Sequence, residues 1–114
     1  MRRAWAIAVT LACVAGCDSP TLPLPPPAAP SVSQASTANR YTLHSDKGAE
    51  PNAVVVIYNH DPNVSLQDRV AGVQADGEGT WDQTITAFPG DVIDVWQEFG
   101  STRSAQATFQ IPQK

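Results

Sequence analysis

The sequence predicts an all-β fold, a single small sandwich of two sheets, and three observations support this. From residue 40 onward, short runs of alternating apolar and polar residues are separated by Gly, Pro, Asn and Asp, as in strands joined by turns. The same region is rich in Val and Thr, which favour strands, and poor in Leu, Lys and Met. It sustains no apolar stripe of helical period, which argues against βαβ units.

The first 16 residues are expected to be a signal peptide and not part of the fold. Arg2 and Arg3 form a short positive start, and an apolar run of about 11 residues follows, from Ala4 to Val14. This run is too short for a helix that crosses a ~30 Å hydrocarbon core, which needs about 20 residues.

The end of the leader, Val14, Ala15, Gly16 and Cys17, resembles the bacterial lipobox, in which an aliphatic and two small residues precede a cysteine. The resemblance implies that the Cys17 sulfur carries a diacylglyceryl group. It also implies that a signal peptidase, recognising the three residues before Cys17, cuts just before it. Two or three acyl chains, at about 0.8 kcal/mol per buried CH₂, then hold the mature protein at a membrane of the cell envelope.

Asp18 resembles the inner-membrane retention signal of enteric bacteria and points to the inner membrane, with the outer membrane left open. Two alternatives to the lipobox interpretation remain. One is an ordinary secretory leader with an incidental Cys17, and the other is a cytosolic protein with an apolar start.

Residues 17–39 are expected to be the lipidated cysteine and a tether. Residues 18–30 contain six prolines, and proline favours extended polyproline II and lacks an amide donor. At ~3.1 Å per residue these residues reach roughly 40 Å. Residues 31–39 are small and polar, and part of 31–37 is alternatively a first strand. A PxxP ligand at Pro20 and Pro23 is the other alternative use of the tether.

The folded domain, residues 40–114, is predicted to contain six strands. They span residues 40–45, 53–59, 69–75, 80–87, 92–99 and 103–111. The last strand is expected to alternate without interruption. Its predicted inward residues are Ala105, Ala107, Phe109 and Ile111, and its outward residues are Ser104, Gln106, Thr108 and Gln110.

The order of turn and core residues resembles the bacterial immunoglobulin-like repeat domains of surface adhesins and envelope proteins. The residues that carry it, between about Tyr41 and Pro112, are Glu50-Pro51-Asn52-Ala53, Gly79-Thr80-Trp81, Gly90-Asp91, Gly100 and Phe109-x-Ile111. The resemblance implies an immunoglobulin-like sandwich with Trp81 in its core and a structural or adhesive role. The chain departs from the family in the long stretch between Asn59 and Arg69 and at Gln97, where the family has a small apolar residue.

Three residues are candidates for binding a partner: Trp96, Tyr58 and Val92. If Ile93 and Val95 face the core, Val92 and Trp96 face outward, and Tyr58 lies outward when Ile57 is inward. Exposed aromatic residues on a sheet are common anchors for protein or glycan partners. The alternative is that a loop, the tether or a neighbouring strand covers them.

The charge pattern argues against nucleic acid as a partner. The formal net charge is −4, and loss of Arg2 and Arg3 with the leader makes the mature chain more acidic. Binding to phosphate backbones needs clustered Lys or Arg, and the remaining basic residues are dispersed.

The sequence offers no convincing catalytic or cofactor site, so we expect no enzyme, no cofactor and no metal. His44 and His60 lack zinc-ligand spacing and are expected on the surface. Asp76, Glu78 and Asp91 lie near turns, where calcium is an alternative to simple turn formation. No serine sits in G-x-S-x-G.

These observations together predict a membrane-anchored bacterial envelope lipoprotein with a structural, adhesive, or protein- or glycan-binding module. The alternative is an accessory subunit or inhibitor that docks onto a secreted or envelope complex. The oligomeric state is left open by the sequence.

Overall fold

The computed structural model describes residues 24–113 and has an all-β sandwich architecture. The strands are β1 (Ser31–Gln34), β2 (Arg40–Ser45), β3 (Val54–Asn59), β4 (Val70–Gln74), β5 (Trp81–Thr86), β6 (Val92–Phe99), β7 (Thr102–Arg103) and β8 (Ala107–Gln110). A helical turn, α1 (Leu66–Arg69), precedes β4. The predicted signal peptide, Cys17 and Asp18 lie outside the described residues.

The strands form two antiparallel sheets. Sheet A has the order β1-β2-β5, and sheet B has the order β4-β3-β6, with β7 and β8 both paired to β6. The chain crosses between the sheets after β2, after β4 and after β5. Such crossovers are typical of immunoglobulin-like sandwiches. The all-β sandwich predicted from the alternating pattern is therefore confirmed.

The core lies between the sheets and is filled by the inward residues of each alternating run. Neighbouring residues of one strand point to opposite faces, so β2 buries Tyr41 and Leu43 while β3 buries Val55 and Ile57. Trp81 lies in this core and is only 2% exposed. The other members of the core cluster are Ala75, Ile85, Ala87, Ile93, Val95 and Ile111.

The compact fold begins before Arg40, the expected domain boundary. Residues 31–34 form β1 and pair with β2, as the alternative for residues 31–37 anticipated. Residues 24–30, here called the strap, lie against the sandwich. Pro27 and Pro30 are buried, and the Ala28 amide donates to the Gly48 carbonyl at 2.9 Å. Part of the predicted tether is thus a packed segment of the domain.

Gln97, the departure from the resembling family, holds the strap in place. Its side chain is buried on the inner face of β6, and both the oxygen and the nitrogen of its amide form a hydrogen bond there. The amide oxygen accepts from the Glu50 backbone N–H at 2.7 Å, and the amide nitrogen donates to the Pro25 carbonyl at 2.7 Å. A small apolar residue at this position would make neither bond.

The prediction that residues 103–111 form one evenly alternating strand is wrong. Ser104 is buried and Ala105 is exposed, the reverse of the expectation. The register explains this: Glu98 pairs with Arg103, but Val95 pairs with Ala107, so β7 and β8 are offset by one extra residue. This offset is a β-bulge, which reverses the inward and outward positions on either side of it.

The long stretch between β3 and β4 has its own small anchor. Val64 is buried, and Arg69 at the end of α1 donates to the carbonyls of Val64 and Pro62 at 2.8 and 3.0 Å. Because Arg69 closes this loop, β4 begins one residue later than predicted, at Val70.

Candidate functional site

The three candidate binding residues lie together on the outward side of sheet B. In β6, Val92 and Trp96 share a face with Asp94, and Asp94 pairs directly with Tyr58 of β3. We call this surface the outer face of sheet B. Its apolar side chains are Val54, Val56, Tyr58, Val70, Val92 and Trp96.

Several of these side chains are open to solvent. Val54 and Val92 are each 42% exposed and Val70 is 52% exposed, while Trp96 and Tyr58 are half-buried. These three valines are thus open to solvent, whereas Arg103 of the neighbouring strand β7 covers one ring face of Trp96, as part of the alternative expectation anticipated. The outer side of sheet A is different. It presents polar side chains, including Thr42 hydrogen-bonded to Thr84 and His44 bonded to Asp82.

Trp96 is fixed by two charged neighbours. The Arg103 guanidinium carbon lies 4.4 Å from the centroid of the indole ring, and the indole N–H donates to Glu98 at 3.0 Å. Such a cation–π contact contributes about 0.5–1 kcal/mol at an exposed site. Because Arg103 covers one face of the ring, a sugar that stacked on that face would have to displace it.

A polar group occupies the centre of the outer face. Asp94 is buried although it points outward, and its carboxylate oxygens bond to His60 at 2.6 Å and to the Thr108 hydroxyl at 2.8 Å. The Tyr58 and His60 rings meet edge to face, 4.9 Å between centroids. Thr108 binds the carboxylate and not the imidazole, so the three groups lack the nucleophile–base–acid order of a catalytic triad.

Burial by itself would raise the pKa of Asp94, but its neighbours outweigh burial. The hydrogen bonds from Thr108 and His60, with the attraction of the His60 ring, leave the pKa of Asp94 below its ordinary value. The carboxylate is therefore ionised at neutral pH and holds His60 and Thr108 in place.

The lowered pKa of Asp94 predicts a pH-dependent contribution to stability. The ionised carboxylate stabilises the fold above the ordinary pKa of 3.8, and this contribution is lost as the pH falls through the lower folded value. We expect Asp94→Asn to destabilise the protein at pH 7 and to have a smaller effect at pH 3. Urea unfolding at both pH values measures this, with Asp82→Asn on sheet A as the matched control. An equal effect of Asp94→Asn at both pH values would contradict the prediction.

The acids proposed as calcium ligands do not converge. One Asp76 oxygen accepts from the backbone N–H groups of Glu78 and Thr80, and these turn bonds lower the pKa of Asp76. Asp91 lies in a different turn, where its carboxylate accepts from Asn59 and from the Phe88 N–H. Burial, opposed in part by these bonds, raises the pKa of Asp91, and the neighbouring Asp61 raises it further.

Within residues 24–113, no three His, Cys, Asp or Glu side chains come together as metal ligands. No helix in the part of the chain that the structure describes is long and apolar enough to cross a membrane.

Sequence reasoning placed Trp96, Tyr58 and Val92 on the outer face and missed the charged residues Asp94 and Arg103. Asp94 was visible in principle, since it lies between Val92 and Trp96 in the alternation of one strand. Arg103 was not, because only the register of the bulged strand brings it over Trp96.

Comparisons of the chain with protein-family models, with curated proteins and with solved structures find no match.

Proposed function

We propose that this chain is a bacterial cell-envelope lipoprotein, anchored through Cys17, whose sandwich binds another envelope protein through the outer face of sheet B. The observation that carries the binding half is the contrast between the two outer sides of one sandwich. Sheet A presents hydroxyl and charged groups, whereas sheet B presents valines and two aromatic rings. Exposed apolar side chains grouped on one face are typical of a protein-interaction surface.

The arrangement around Trp96 favours a protein partner over a glycan. Trp and Arg are the residue types most enriched in the energetic centres of protein interfaces. Here both are already ordered against each other, so little side-chain entropy is lost on binding. The covered ring face is a poor stacking platform for a sugar.

The anchoring half of the proposal rests on the sequence from Arg2 to Cys17. If the lipid is on Cys17, the docked strap shortens the free linker, because the chain is held at Pro25. The span from Cys17 to Pro25 reaches at most roughly 25 Å at ~3.1 Å per residue, instead of the ~40 Å expected for the full proline-rich segment. The sandwich is then held close to the bilayer, where partners in the same membrane are within reach.

We expect Cys17→Ala to release the protein from membranes. Without the thiol there is no acyl attachment, so no acyl chain holds the protein at the bilayer. The measurement is membrane fractionation after a salt wash, with mass spectrometry of the native protein for the acyl mass at Cys17. Cys13→Ala is the matched control and should stay in the membrane fraction. Native protein that carries no acyl mass at Cys17 would refute the anchor.

The binding face is tested by photocrosslinking in cells. A photoreactive residue in place of Val92 should give one discrete adduct with another envelope protein, and the same residue in place of Thr84 on sheet A should give none. Trp96→Ala should weaken the interaction by about 2 kcal/mol or more, roughly 30-fold in Kd. Adducts of equal yield from both positions, or full binding by Trp96→Ala, would exclude this face.

A further inference from the structure

Strand β4 leaves one edge of sheet B open. The Ala75 N–H donates to the Ala53 carbonyl at 2.8 Å, which identifies Ala75 and Ala53 as a hydrogen-bonded pair. Hydrogen-bonded pairs alternate along an antiparallel ladder, so Val73 and Ala71 also bond to β3. The N–H and C=O groups of Val70, Gly72 and Gln74 therefore point away from the sheet.

Strand β5 is the corresponding edge of sheet A, but its outward-pointing carbonyl groups are partly occupied by side chains. By the same alternation, the Ala87 N–H bond to Asn39 directs the backbone groups of Asp82, Thr84 and Thr86 outward. The Thr84 carbonyl accepts from the Gln83 amide, and the Thr86 carbonyl accepts from the Asn59 amide, each at 3.1 Å. With the charge of Asp82, these bonds make β5 a poor template for another strand.

The two remaining edges are also protected. β1 has four residues and follows Pro30 directly, and β8 has four residues and ends before Pro112. Short length and flanking proline are common means of blocking an edge. β4 has neither a proline nor a charged residue, and within the described residues its outward carbonyls accept no side-chain bond.

We propose that β4 is the site where a second copy of this chain adds its own β4, antiparallel, with the two-fold axis at Gly72. In this register Val70 faces Gln74 of the second copy and Gly72 faces Gly72 of the second copy. All three outward-pointing residues are then matched, which is the self-complementarity that a two-fold interface requires. The two B sheets become one continuous sheet.

The side chains agree with this occupant. Gly72 brings no side chain to the axis, and Val70, 52% exposed, gains a neighbour on the outer face. The strand itself is uncharged, so the copies meet without like charges in the ladder. Continued beyond the strand, the same register sets Asp68 of one copy opposite Asp76 of the other, and this like-charge pair at each end of the ladder limits the strength of the dimer. Asp68, on α1, is held by the Ser65 hydroxyl at 2.9 Å.

A five-residue strand pair is small beside the ~1,600 Å² of a standard interface, so the dimer is weak in dilute solution. Here the inference rests on the proposed anchor, because confining both copies to one membrane raises their effective concentration. Pairing places two outer faces side by side and doubles the binding surface that one partner meets.

Disulfide trapping tests the pairing in membranes that contain the full-length protein. Gly72→Cys brings two thiols together at the axis, so an oxidant should yield a disulfide-linked dimer several-fold above that of Ser33→Cys, an exposed position on β1. The wild type reports any dimer formed through its own cysteines. No excess of dimer in Gly72→Cys, or an adduct whose mass is not twice that of the chain, would overturn the proposal.

A charge at the axis gives an independent test. A Cβ at Gly72 lies 3.9 Å from its nearest neighbour, the Val55 carbonyl oxygen, so Gly72→Lys fits the folded chain. Sedimentation of the purified full chain at high concentration should show loss of the dimer in Gly72→Lys and no change in Thr84→Lys, on the β5 edge. A dimer that persists in Gly72→Lys would also contradict pairing through β4. A dimer without membrane association would count only against the lipid anchor.

Discussion

Replacing Trp81 with alanine should lower the free energy of unfolding by about 3–5 kcal/mol, the range for removing a large buried aromatic side chain. Trp81 is 2% exposed and packs among the core residues of both sheets, so its removal leaves a cavity in the core. A domain of this size has little stability to lose, and the variant is expected to be largely unfolded at 37 °C. Urea unfolding followed by circular dichroism measures the loss.

Trp81→Phe separates packing from hydrogen bonding in the same position. The indole N–H of Trp81 is a buried polar atom without a hydrogen-bond partner in the described part of the chain. Phenylalanine removes this donor along with part of the ring, so the gain from removing an unsatisfied group offsets some of the lost packing. We expect Trp81→Phe to cost less than half of the Trp81→Ala loss. Equal losses in the two variants would contradict this prediction.

Gln97→Ala should free the strap and destabilise the fold by about 1–3 kcal/mol, the sum of two lost hydrogen bonds and a small cavity. The Gln97 amide joins Pro25 to the Glu50 backbone across a large separation in sequence. Hydrogen exchange gives the direct readout. The Ala28 amide, bonded to Gly48, should lose protection in the variant, while amides in the centre of β3 keep theirs.

Two further variants separate the contributions of Gln97 to packing and to its two hydrogen bonds. Gln97→Met keeps the volume and removes both bonds, so it should expose the strap without a cavity. Gln97→Glu keeps an acceptor for the Glu50 N–H but loses the donor to the Pro25 carbonyl, so it should release the strap selectively. Unchanged protection of the Ala28 amide in both variants would show that buried Pro27 and Pro30 hold the strap without Gln97.

The strap and the open edge of β4 both bear on the proposed binding surface. The Pro25 contact shortens the linker to the proposed anchor at Cys17, and β4 lies in the sheet whose outer face carries the apolar patch. In the proposed dimer, each copy therefore contributes its own Trp96 and Arg103 to one enlarged surface. Loss of strap docking in Gln97→Glu should change the reach of the domain and leave the outer face intact.

The sequence alone predicted strands β2 to β6, each within one residue of its observed bounds. Alternation is a local property of the backbone, so Ile111 was predicted to face inward, and it is fully buried. The same parity placed Val92 and Trp96 on a common outward face. The signal peptide and lipobox are equally local, and they remain predictions from the sequence.

Only the tertiary structure decided what depends on pairing between distant segments. The bulge between β7 and β8, which turns Ser104 inward, arises from the register against β6. The same register carries Arg103 over Trp96. The hydrogen bond between Gln97 and Pro25 depends on how distant segments of the chain pack together. The position of β4 at the edge of sheet B depends on the order of the strands in that sheet. Long-range register follows from the packing of the whole core, and no local pattern of residues encodes it.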